Sequence, residues 1–401
     1  MKYLTKHIAS AASIIASYNG SIPLSSYLKQ HFAVNKKYGS KDRKQIAHFC
    51  FLYYRIVNAV KGLSIEETIT IALFICEVHL EPYASLFKAE WLANWQDTQA
   101  ERINFIQSVF PNFNVATIFP WVNELSEGMD TLAFCTSHLT QPDLFLRIRP
   151  NQATIVIKKL QAANIVFTTL NNNCLAMPNN SKIDDVVSID REVVVQDYSS
   201  QCIIEFLSII LSDSNYQPAT FSIWDCCAAS GGKSILVVDV LGKVKLTVSD
   251  IRAGIIQNLK TRLAKAGIAI NHTIIADLTK INSIIGNQQP ATGNNYQLII
   301  CDAPCTGSGT WGRTPEQLTF FKQKDILKYV HLQQQIVTNT IKYLAVNGYY
   351  LYITCSVFKQ ENEAMVAFIL QQQPSLTLLK SDLLIGYDKK ADSMFAALFK
   401  A

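Results

Sequence analysis

The sequence has few charged residues and no long apolar run. Asp, Glu, Lys and Arg make up only 17% of the 401 residues, whereas hydrophobic residues make up 49%. This balance excludes a disordered or low-complexity chain and favours globular domains with buried cores. No uncharged apolar stretch reaches the roughly 18 residues of a membrane-spanning helix, so we expect no membrane partner.

A large excess of one charge is also missing. Lys and Arg total 36 against 31 Asp and Glu, a net charge of +5, which neither indicates nor excludes a nucleic-acid partner. The first fifty residues differ, because Asp42 is their only acid. A nucleic-acid-binding surface and an ordinary solvated helix surface both explain their basic residues, which are Lys2, Lys6, Lys29, Lys36, Lys37, Lys41, Arg43 and Lys44.

The ten cysteines form no C-x-x-C pair and no Cys/His cluster with zinc-site spacing. We therefore expect neither a secreted disulfide framework nor a bound metal. Buried packing is the favoured role for most thiols, including Cys202, Cys226 and Cys301. The first residues have a basic end and an apolar stretch, but their helical spacing and serines favour an amphipathic helix over a signal peptide. A reducing, cytoplasmic location is expected.

The pattern of the chain changes twice, which predicts three regions. Residues 1–137 repeat apolar side chains every three or four positions, as an all-helical domain does. Residues 141–200 read as short strands around one helix, typical of a small α/β module. From residue 201 to residue 401, apolar strands alternate with helices, as in a doubly wound α/β sheet.

The first strand of the third region ends in a glycine turn. Residues 224–234 read WDCCAASGGKS, with Asp225 at the strand end and Gly231 and Gly232 before a helix. Glycines let a ligand approach the backbone, and the free amides of a helix start favour an anionic group, so a nucleotide-like cofactor fits. The spacing matches neither a dinucleotide fingerprint nor a P-loop. A purely structural turn is the alternative.

Acids and cysteines follow the later strands. Asp250, Asp277 and Asp302 end the next three apolar runs, where ligands of open α/β sheets bind, although each could be a helix N-cap. A carboxylate at Asp250 suits ribose hydroxyls, and one at Asp277 suits an exocyclic amine. Cys305 follows the fourth strand and Cys355 the fifth. If the strand order reverses near the first strand, two thiols and a carboxylate converge on one pocket.

These motifs resemble those of the RNA cytosine-5 methyltransferases of the bacterial Sun/Fmu (RsmB-like) family. The family patterns D-x-C-A-A-P-G-G-K, D-A-P-C-S-G-x-G and T-C-S followed by E-N-E correspond here to DCCAASGGK, DAPCTGSG and TCS with ENE at residues 361–363. The segment VVVQDYSSQ resembles the family's entry segment. More weakly, SKDRKQIA resembles its NusB-like N-terminal domain, and residues 141–200 occupy the place of its small RNA-binding module.

The resemblance implies a class I (Rossmann-like) methyltransferase domain that uses S-adenosyl-L-methionine to form 5-methylcytosine. Cys355 is then the nucleophile that adds to carbon 6 of cytosine, Cys305 assists breakdown of the adduct, and Asp302 hydrogen-bonds nitrogen 3. The residues implied to surround the cofactor are Cys227, Ala228, Ala229, Ser230, Gly231, Gly232, Lys233, Asp250, Asp277 and Asp302.

Ribosomal RNA is the expected substrate and a monomer the expected state. A transfer RNA enzyme is the alternative within the class, and a catalytically silent assembly factor the alternative outside it. Retention of both cysteines argues against the silent factor and against a small-molecule or protein substrate. Ser230 replaces the family's proline, and Gly312 stands where relatives have the first of two arginines, with Arg313 retained. Trp311 suits either stacking on a base or core packing.

Overall fold

The structure is a computed structural model that describes residues 2–214, 216–280 and 296–401. Its helices, in chain order, are α1 (Lys2–Ser17), α2 (Leu24–Val34), α3 (Ser40–Ile56), α4 (Ile65–Cys76), α5 (Ala89–Ala93), α6 (Gln99–Val109), α7 (Thr131–Ser137), α8 (Ala153–Ala162), α9 (Tyr198–Gln201), α10 (Ile204–Leu211), α11 (Gly232–Leu241), α12 (Ala253–Lys265), α13 (Gln317–Phe320), α14 (Asp325–Thr340) and α15 (Glu363–Gln372). Its strands are β1 (Leu144–Ile148), β2 (Thr168–Asn171), β3 (Cys174–Met177), β4 (Val193–Val195), β5 (Ser222–Asp225), β6 (Lys245–Asp250), β7 (His272–Ile275), β8 (Tyr296–Asp302), β9 (Leu344–Thr354), β10 (Thr377–Leu384) and β11 (Met394–Lys400).

The chain divides into two compact units. One comprises Met1–Leu125, Met129–Gln141 and Thr310–Gln323, and the other comprises Ser126–Gly128, Pro142–Gly309 and Lys324–Ala401. The first unit therefore includes a short segment from the C-terminal half of the sequence. The division into 1–137, 141–200 and 201–401 stays a prediction.

The first unit is helical, as its apolar spacing predicts. Helix α4 begins with a capping box in which the Ser64 side chain accepts from the Glu67 amide and the Glu67 side chain accepts from the Ser64 amide. Its residues Ile69, Leu73 and Phe74 are fully buried. No helix in the described part of the chain is long and apolar enough to cross a membrane.

Trp311 lies in this helical unit. It is 2% exposed and packs against Phe119, Trp121 and Phe321, with ring centroids 4.8 to 5.7 Å away. Of its two expected roles, the structure shows core packing. Because an aromatic side chain buries a large apolar area, this cluster accounts for the inclusion of residues 310–323 in the unit.

The second unit contains two sheets. The smaller one has the antiparallel order β2-β3-β1-β4, and the larger one has the order β10-β11-β9-β8-β5-β6-β7. Strands β9, β8, β5, β6 and β7 run parallel, whereas β11 and β10 are antiparallel to their neighbours. All five strands predicted for the third region are present, and the mixed α/β class with a mainly parallel sheet is confirmed.

The strand order of the larger sheet reverses at β5. The chain runs outward from β5 through β6 to β7 and then returns to the other side of β5 with β8 and β9. Apolar residues on both faces bury the sheet, with Ile223 and Ile300 on one side and Trp224 and Ile299 on the other. Such a reversal opens a crevice at the carboxyl ends of the central strands. The predicted site residues follow those ends.

Candidate active site

Cys305 and Cys355 are adjacent in the structure. Strands β8 and β9 pair in parallel with Asp302 opposite Ile353, so the loops that follow them leave the sheet side by side. The two Sγ atoms are 3.1 Å apart, and both residues are partly buried. The convergence expected from the strand order is therefore realised for both thiols.

The two thiols are not equivalent. A hydrogen bond to the Cys355 sulfur, together with burial, raises the pKa of Cys305 well above its usual value. The raised pKa favours the protonated form of Cys305, which can then donate to the Cys355 sulfur, while the geometry of the contact allows either sulfur to be the donor. A sulfur that receives such a hydrogen bond is suited to carry negative charge, which is what a nucleophilic thiol needs.

Glu361 joins the loops that hold the two thiols. Its carboxyl group is fully buried and accepts hydrogen bonds from the Thr306 amide at 3.0 Å and the Thr306 hydroxyl at 2.6 Å. It also accepts from the Ser356 hydroxyl at 2.5 Å and from Gln333 Nε2 at 2.8 Å. Burial nevertheless raises the pKa of Glu361. Glu361 is the first residue of the E-N-E motif, but no role for it could be predicted from the motif.

The next residue of that motif, Asn362, secures the loop after β9. Its Oδ1 accepts from the Thr354 hydroxyl at 2.6 Å, and its Nδ2 donates to the Ser356 carbonyl at 3.0 Å. Asn362 is also fully buried. The backbone on both sides of Cys355 is therefore anchored by buried polar groups.

Asp302 lies beside Lys233. The Lys233 Nζ is 3.3 Å from Asp302 Oδ2 and also donates to the Ser200 hydroxyl at 2.8 Å. The side chain of Lys233 is 9% exposed, whereas that of Asp302 is 30% exposed. Lys233, expected among cofactor residues, thus places its charge next to the acid expected to contact the base.

The glycine turn has a left-handed backbone conformation at Gly231, which glycine adopts without strain. Gly231 has φ of +84°, and a Cβ there would meet the Leu259 side chain at 3.4 Å. Gly232 begins α11 and has open space where a Cβ would lie. The hydroxyl of Ser230, which replaces the family proline, accepts a hydrogen bond from Arg262 Nη1 at 3.1 Å. Proline could not accept that bond.

The acids at the strand ends occupy different environments. Asp225 is fully buried, and burial raises its pKa to about 7, although the Ser234 hydroxyl donates to it at 2.6 Å. Burial acts to raise the pKa of Asp250 too, but hydrogen bonds from Arg252 outweigh it and the net pKa is lowered. Asp277 follows β7 by two residues.

Asp277 closes a turn. It accepts from the Thr279 amide at 3.2 Å and the Thr279 hydroxyl at 2.6 Å, and these bonds hold its pKa below its usual value. These bonds form an Asx turn, and no helix begins at Asp277 within the described residues, so the N-cap alternative for Asp277 stays a prediction. Its second oxygen lies 3.1 Å from Lys280 Nζ.

Comparison with known proteins finds a family model that matches the part of the chain containing this site. Residues 211–396 match the model of the family described as 16S rRNA methyltransferase RsmB/F. This segment, somewhat less than half of the chain, is similar to the RsmB/F family. It contains the glycine turn, the acids and both paired thiols, and the resemblance read from the motifs is confirmed.

Two curated proteins are similar in sequence to part of this chain. A Shewanella oneidensis protein named ribosomal RNA small subunit methyltransferase B is 31% identical over 148 residues, which is 37% of this chain and 33% of that protein. A human protein named 28S rRNA (cytosine(4447)-C(5))-methyltransferase is 28% identical over 156 residues, which is 38% of this chain and 18% of that protein. The matched segment therefore spans a third or less of these relatives.

Solved structures share the fold. The crystal structure titled PH0851 covers 99% of this chain and 98% of its own, with a TM-score of 0.65 at 18% identity. The structure of NSun6 from Pyrococcus horikoshii with SFG covers 71% of this chain and 97% of its own, with a TM-score of 0.59 at 12% identity. At these identities the likeness concerns the fold alone.

The segment that matches the RsmB/F model also contains a group of sulfurs whose proximity could not be predicted from the sequence. The Sγ atoms of Cys226, Cys227 and Cys301 all lie within 4.8 Å of one another. Cys226 and Cys301 are buried, as expected, and Cys227 is partly buried. Their adjacency depends on the pairing of β5 with β8, which cysteine spacing along the chain does not show.

Proposed function

We propose that the chain is an S-adenosylmethionine-dependent RNA methyltransferase that forms 5-methylcytosine, with ribosomal RNA as its substrate. The observation that carries the proposal is the 3.1 Å separation of the Cys305 and Cys355 sulfurs, in loops that follow β8 and β9, with Asp302 at the end of β8. The names of the two relatives support it, since both are ribosomal RNA methyltransferases and one acts at C5 of a cytosine.

The chemistry requires a covalent step, because carbon 5 of cytosine is a weak nucleophile. We assign Cys355 to attack carbon 6, which makes carbon 5 electron-rich. Asp302 donates its carboxyl proton to nitrogen 3 as the carbon–sulfur bond forms, and the neighbouring Lys233 ammonium stabilises the carboxylate that results. A base that reacts in this way is splayed out or already unpaired.

Resolution of the adduct gives Cys305 its role. Once carbon 5 has been methylated, a water molecule takes its proton. The electron pair of that carbon–hydrogen bond then forms the double bond between carbons 5 and 6, and the bond between carbon 6 and the Cys355 sulfur breaks. The leaving sulfur departs as a thiolate, and Cys305, which holds its own proton, stabilises it by donating a hydrogen bond over 3.1 Å. The contact between Cys305 and Cys355 thus stabilises the Cys355 thiolate both when it attacks carbon 6 and when it leaves.

The crevice residues suit a nucleoside-bearing methyl donor. When bound, S-adenosylmethionine supplies an electrophilic methyl group on a sulfonium. Gly231 provides the left-handed turn, and the first amides of α11 have no acceptor within their own helix. SFG, an analogue of this donor, is present in the NSun6 structure. We assign its binding to residues 227–233 with Asp250, Asp277 and Asp302.

The remaining regions are assigned to RNA. We propose that residues 1–137 form a NusB-like domain and residues 141–200 a small RNA-binding module, ahead of the methyltransferase domain at 201–401. The basic cluster of the first fifty residues supports this assignment, because phosphate contacts need Lys and Arg. The proposal includes a monomeric enzyme in the cytoplasm.

The test is transfer of labelled methyl groups from S-adenosylmethionine to total RNA of cells that lack the gene, with bisulfite mapping of the product. We expect Cys355→Ala to abolish transfer and Cys305→Ala to accumulate a covalent RNA adduct that migrates slowly in denaturing gels. Cys174→Ala, which removes a buried thiol of β3, serves as the matched control. Normal turnover by the Cys355→Ala protein would overturn the assignment.

A further inference from the structure

The three sulfurs of Cys226, Cys227 and Cys301 form a compact group separate from the Cys305–Cys355 pair. Each lies within 4.8 Å of the other two. Two of the residues are adjacent in the chain directly after β5, and the third belongs to β8, the neighbouring strand. We refer to these three residues as the thiol triad.

The backbone under the triad is fixed by the sheet. Trp224 pairs with Ile299, and the Cys226 amide continues the pairing by donating to the Ile300 carbonyl at 2.9 Å. Cys226 and Cys301 therefore have little freedom except rotation of their side chains. A set of ligands held in this way loses little entropy when it closes around an ion.

The surroundings of the triad are mainly apolar, with the Asp225 carboxyl group and the Tyr350 hydroxyl as polar neighbours. Cys226 and Cys301 belong to the buried cluster that contains Trp224, Tyr350 and Tyr352, and Cys227 packs against it. A dry site of soft sulfur ligands selects thiophilic ions over Mg²⁺ or Ca²⁺, which require oxygen ligands.

The number of ligands narrows the choice of ion. Structural Zn²⁺ is bound by four ligands at sulfur distances of about 2.3 Å. Among the described residues, no His, Cys, Asp or Glu ligand atom joins the three sulfurs as a fourth. A set of three thiolates with no fourth ligand suits an ion that accepts three-coordination, and Cu(I) is the biological ion with that preference and with affinity for thiolates.

We propose that Cys226, Cys227 and Cys301 form a three-sulfur binding site for Cu(I). Small rotations of the side chains bring the sulfurs around one ion, and the thiol protons that are displaced go to solvent. Because Cys227 also belongs to the glycine turn, the site places a metal ion next to the segment assigned to the methyl donor. The metal site itself does not depend on that assignment.

The experiment is a titration of the full chain with Cu(I) against the chelator bicinchoninate. The paired sulfurs of Cys305 and Cys355 could themselves hold Cu(I), so the titration uses the Cys305→Ser/Cys355→Ser protein. We expect one Cu(I) per chain, with three sulfur neighbours in its X-ray absorption spectrum. Cys226→Ser and Cys301→Ser should each lower the affinity at least about tenfold, and Cys174→Ser should not change it.

Two results would overturn the proposal. One is failure of the titrated protein to retain Cu(I), or retention with fewer than three sulfur neighbours. The other is an unchanged affinity in both Cys226→Ser and Cys301→Ser, which would place the ion elsewhere. Circular dichroism of each variant checks its fold. If either substitution prevents folding, the proposal is tested by the number of sulfur neighbours of Cu(I) in the Cys305→Ser/Cys355→Ser protein, whose triad is intact.

Discussion

At the scale of single residues, Glu361 is a buried carboxyl group that accepts several hydrogen bonds near the paired thiols. Four donors face one fully buried carboxyl group, two of them from Thr306 beside Cys305 and one from Ser356 beside Cys355. Because these residues are next to the thiols in sequence, their hydrogen bonds set the positions of both loops. Glu361 acts through other residues, so it is a positioning residue.

Substitution of Glu361 tests this role. Glu361→Ala removes all four acceptor contacts, and we expect methyl transfer to fall about 100-fold, since a small displacement of a nucleophile has that effect. Glu361→Gln should recover most of the loss, because the Thr306 and Ser356 hydroxyls can accept from its amide as well as donate. The measurements are kcat, KM for the methyl donor and the pH profile of kcat. If a folded Glu361→Gln protein is as inactive as Glu361→Ala, this role is wrong.

Asp225 gives a prediction about stability and pH. Its pKa is raised from 3.8 to about 7 by burial, so between those values the folded protein keeps a proton that the unfolded chain has released. The free energy of unfolding therefore falls as pH rises from about 4 to about 7. Asparagine does not titrate, and its oxygen can still accept from the Ser234 hydroxyl.

We expect the stability of Asp225→Asn relative to the wild type to increase across that pH window. The gain is at most about 4 kcal/mol, the value of a shift of about three pH units. Denaturant unfolding of both proteins without ligand, at several pH values from 4.5 to 8, measures it. Parallel stability curves would show that Asp225 ionises normally in the folded protein.

At the scale of elements, the parallel strands could be predicted and the antiparallel edge could not. Strands β5 to β9 are apolar runs bounded by acids, glycines or helices, which is the pattern of a sheet covered on both faces. Strand β10 carries its leucines in adjacent pairs, so neither strand nor helix periodicity results. Strand β11 reads MFAALFK, whose alanines favour a helix, yet it is buried between β9 and β10.

The active site, too, could be predicted only in part from the sequence. Cys305 and Cys355 follow strands whose order a doubly wound sheet dictates, so their proximity could be expected from the sequence. The bonds of Glu361 and the thiol triad depend on side-chain packing between distant segments. Trp311 shows the limit most clearly, because its partners Phe119 and Trp121 come from the opposite half of the chain.

Gly309 gives a prediction about the loop after β8. Its amide donates to the Cys355 carbonyl at 3.0 Å, and a Cβ at this position would lie 1.9 Å from the Ser393 carbonyl oxygen. Gly309→Ala must therefore displace backbone, and we expect a loss of about 3 kcal/mol in the free energy of unfolding, with a fall in methyl transfer. Gly254→Ala in α12, where a Cβ meets nothing within 4 Å, is the matched control. Equal stability of the two variants would contradict the close packing at Gly309.

At the scale of the whole molecule, the two sheets of the second unit are joined by a buried ion network. Arg147 Nη1 lies 2.6 Å and Arg149 Nη2 lies 2.7 Å from the carboxylate of Asp239 in α11. The side chains of Arg147 and Asp239 are 3% and 5% exposed. A second link joins Arg262 of α12 to Asp190 at 2.7 Å. Both sheets should therefore unfold together.

Asp239→Asn leaves two arginines with a weaker partner in a buried position. Breaking a buried pair from one side costs about 3 to 5 kcal/mol, because the remaining charge stays desolvated, and we expect a loss of that size. Asp388→Asn, which breaks the exposed pair with Lys389, should change stability by less than about 1 kcal/mol. Denaturant unfolding measures both effects.

Labelling of buried thiols shows whether the sheets unfold as one. Cys174 reports on the smaller sheet and Cys301 on the larger, and both are fully buried. If the ion network couples the sheets, both thiols become reactive at the same denaturant concentration, in the wild type and, at a lower concentration, in Asp239→Asn. Labelling of Cys174 well before Cys301 in the wild type would show that the smaller sheet is an independent folding unit, and the strength assigned to the Arg147–Asp239 contact would then be wrong.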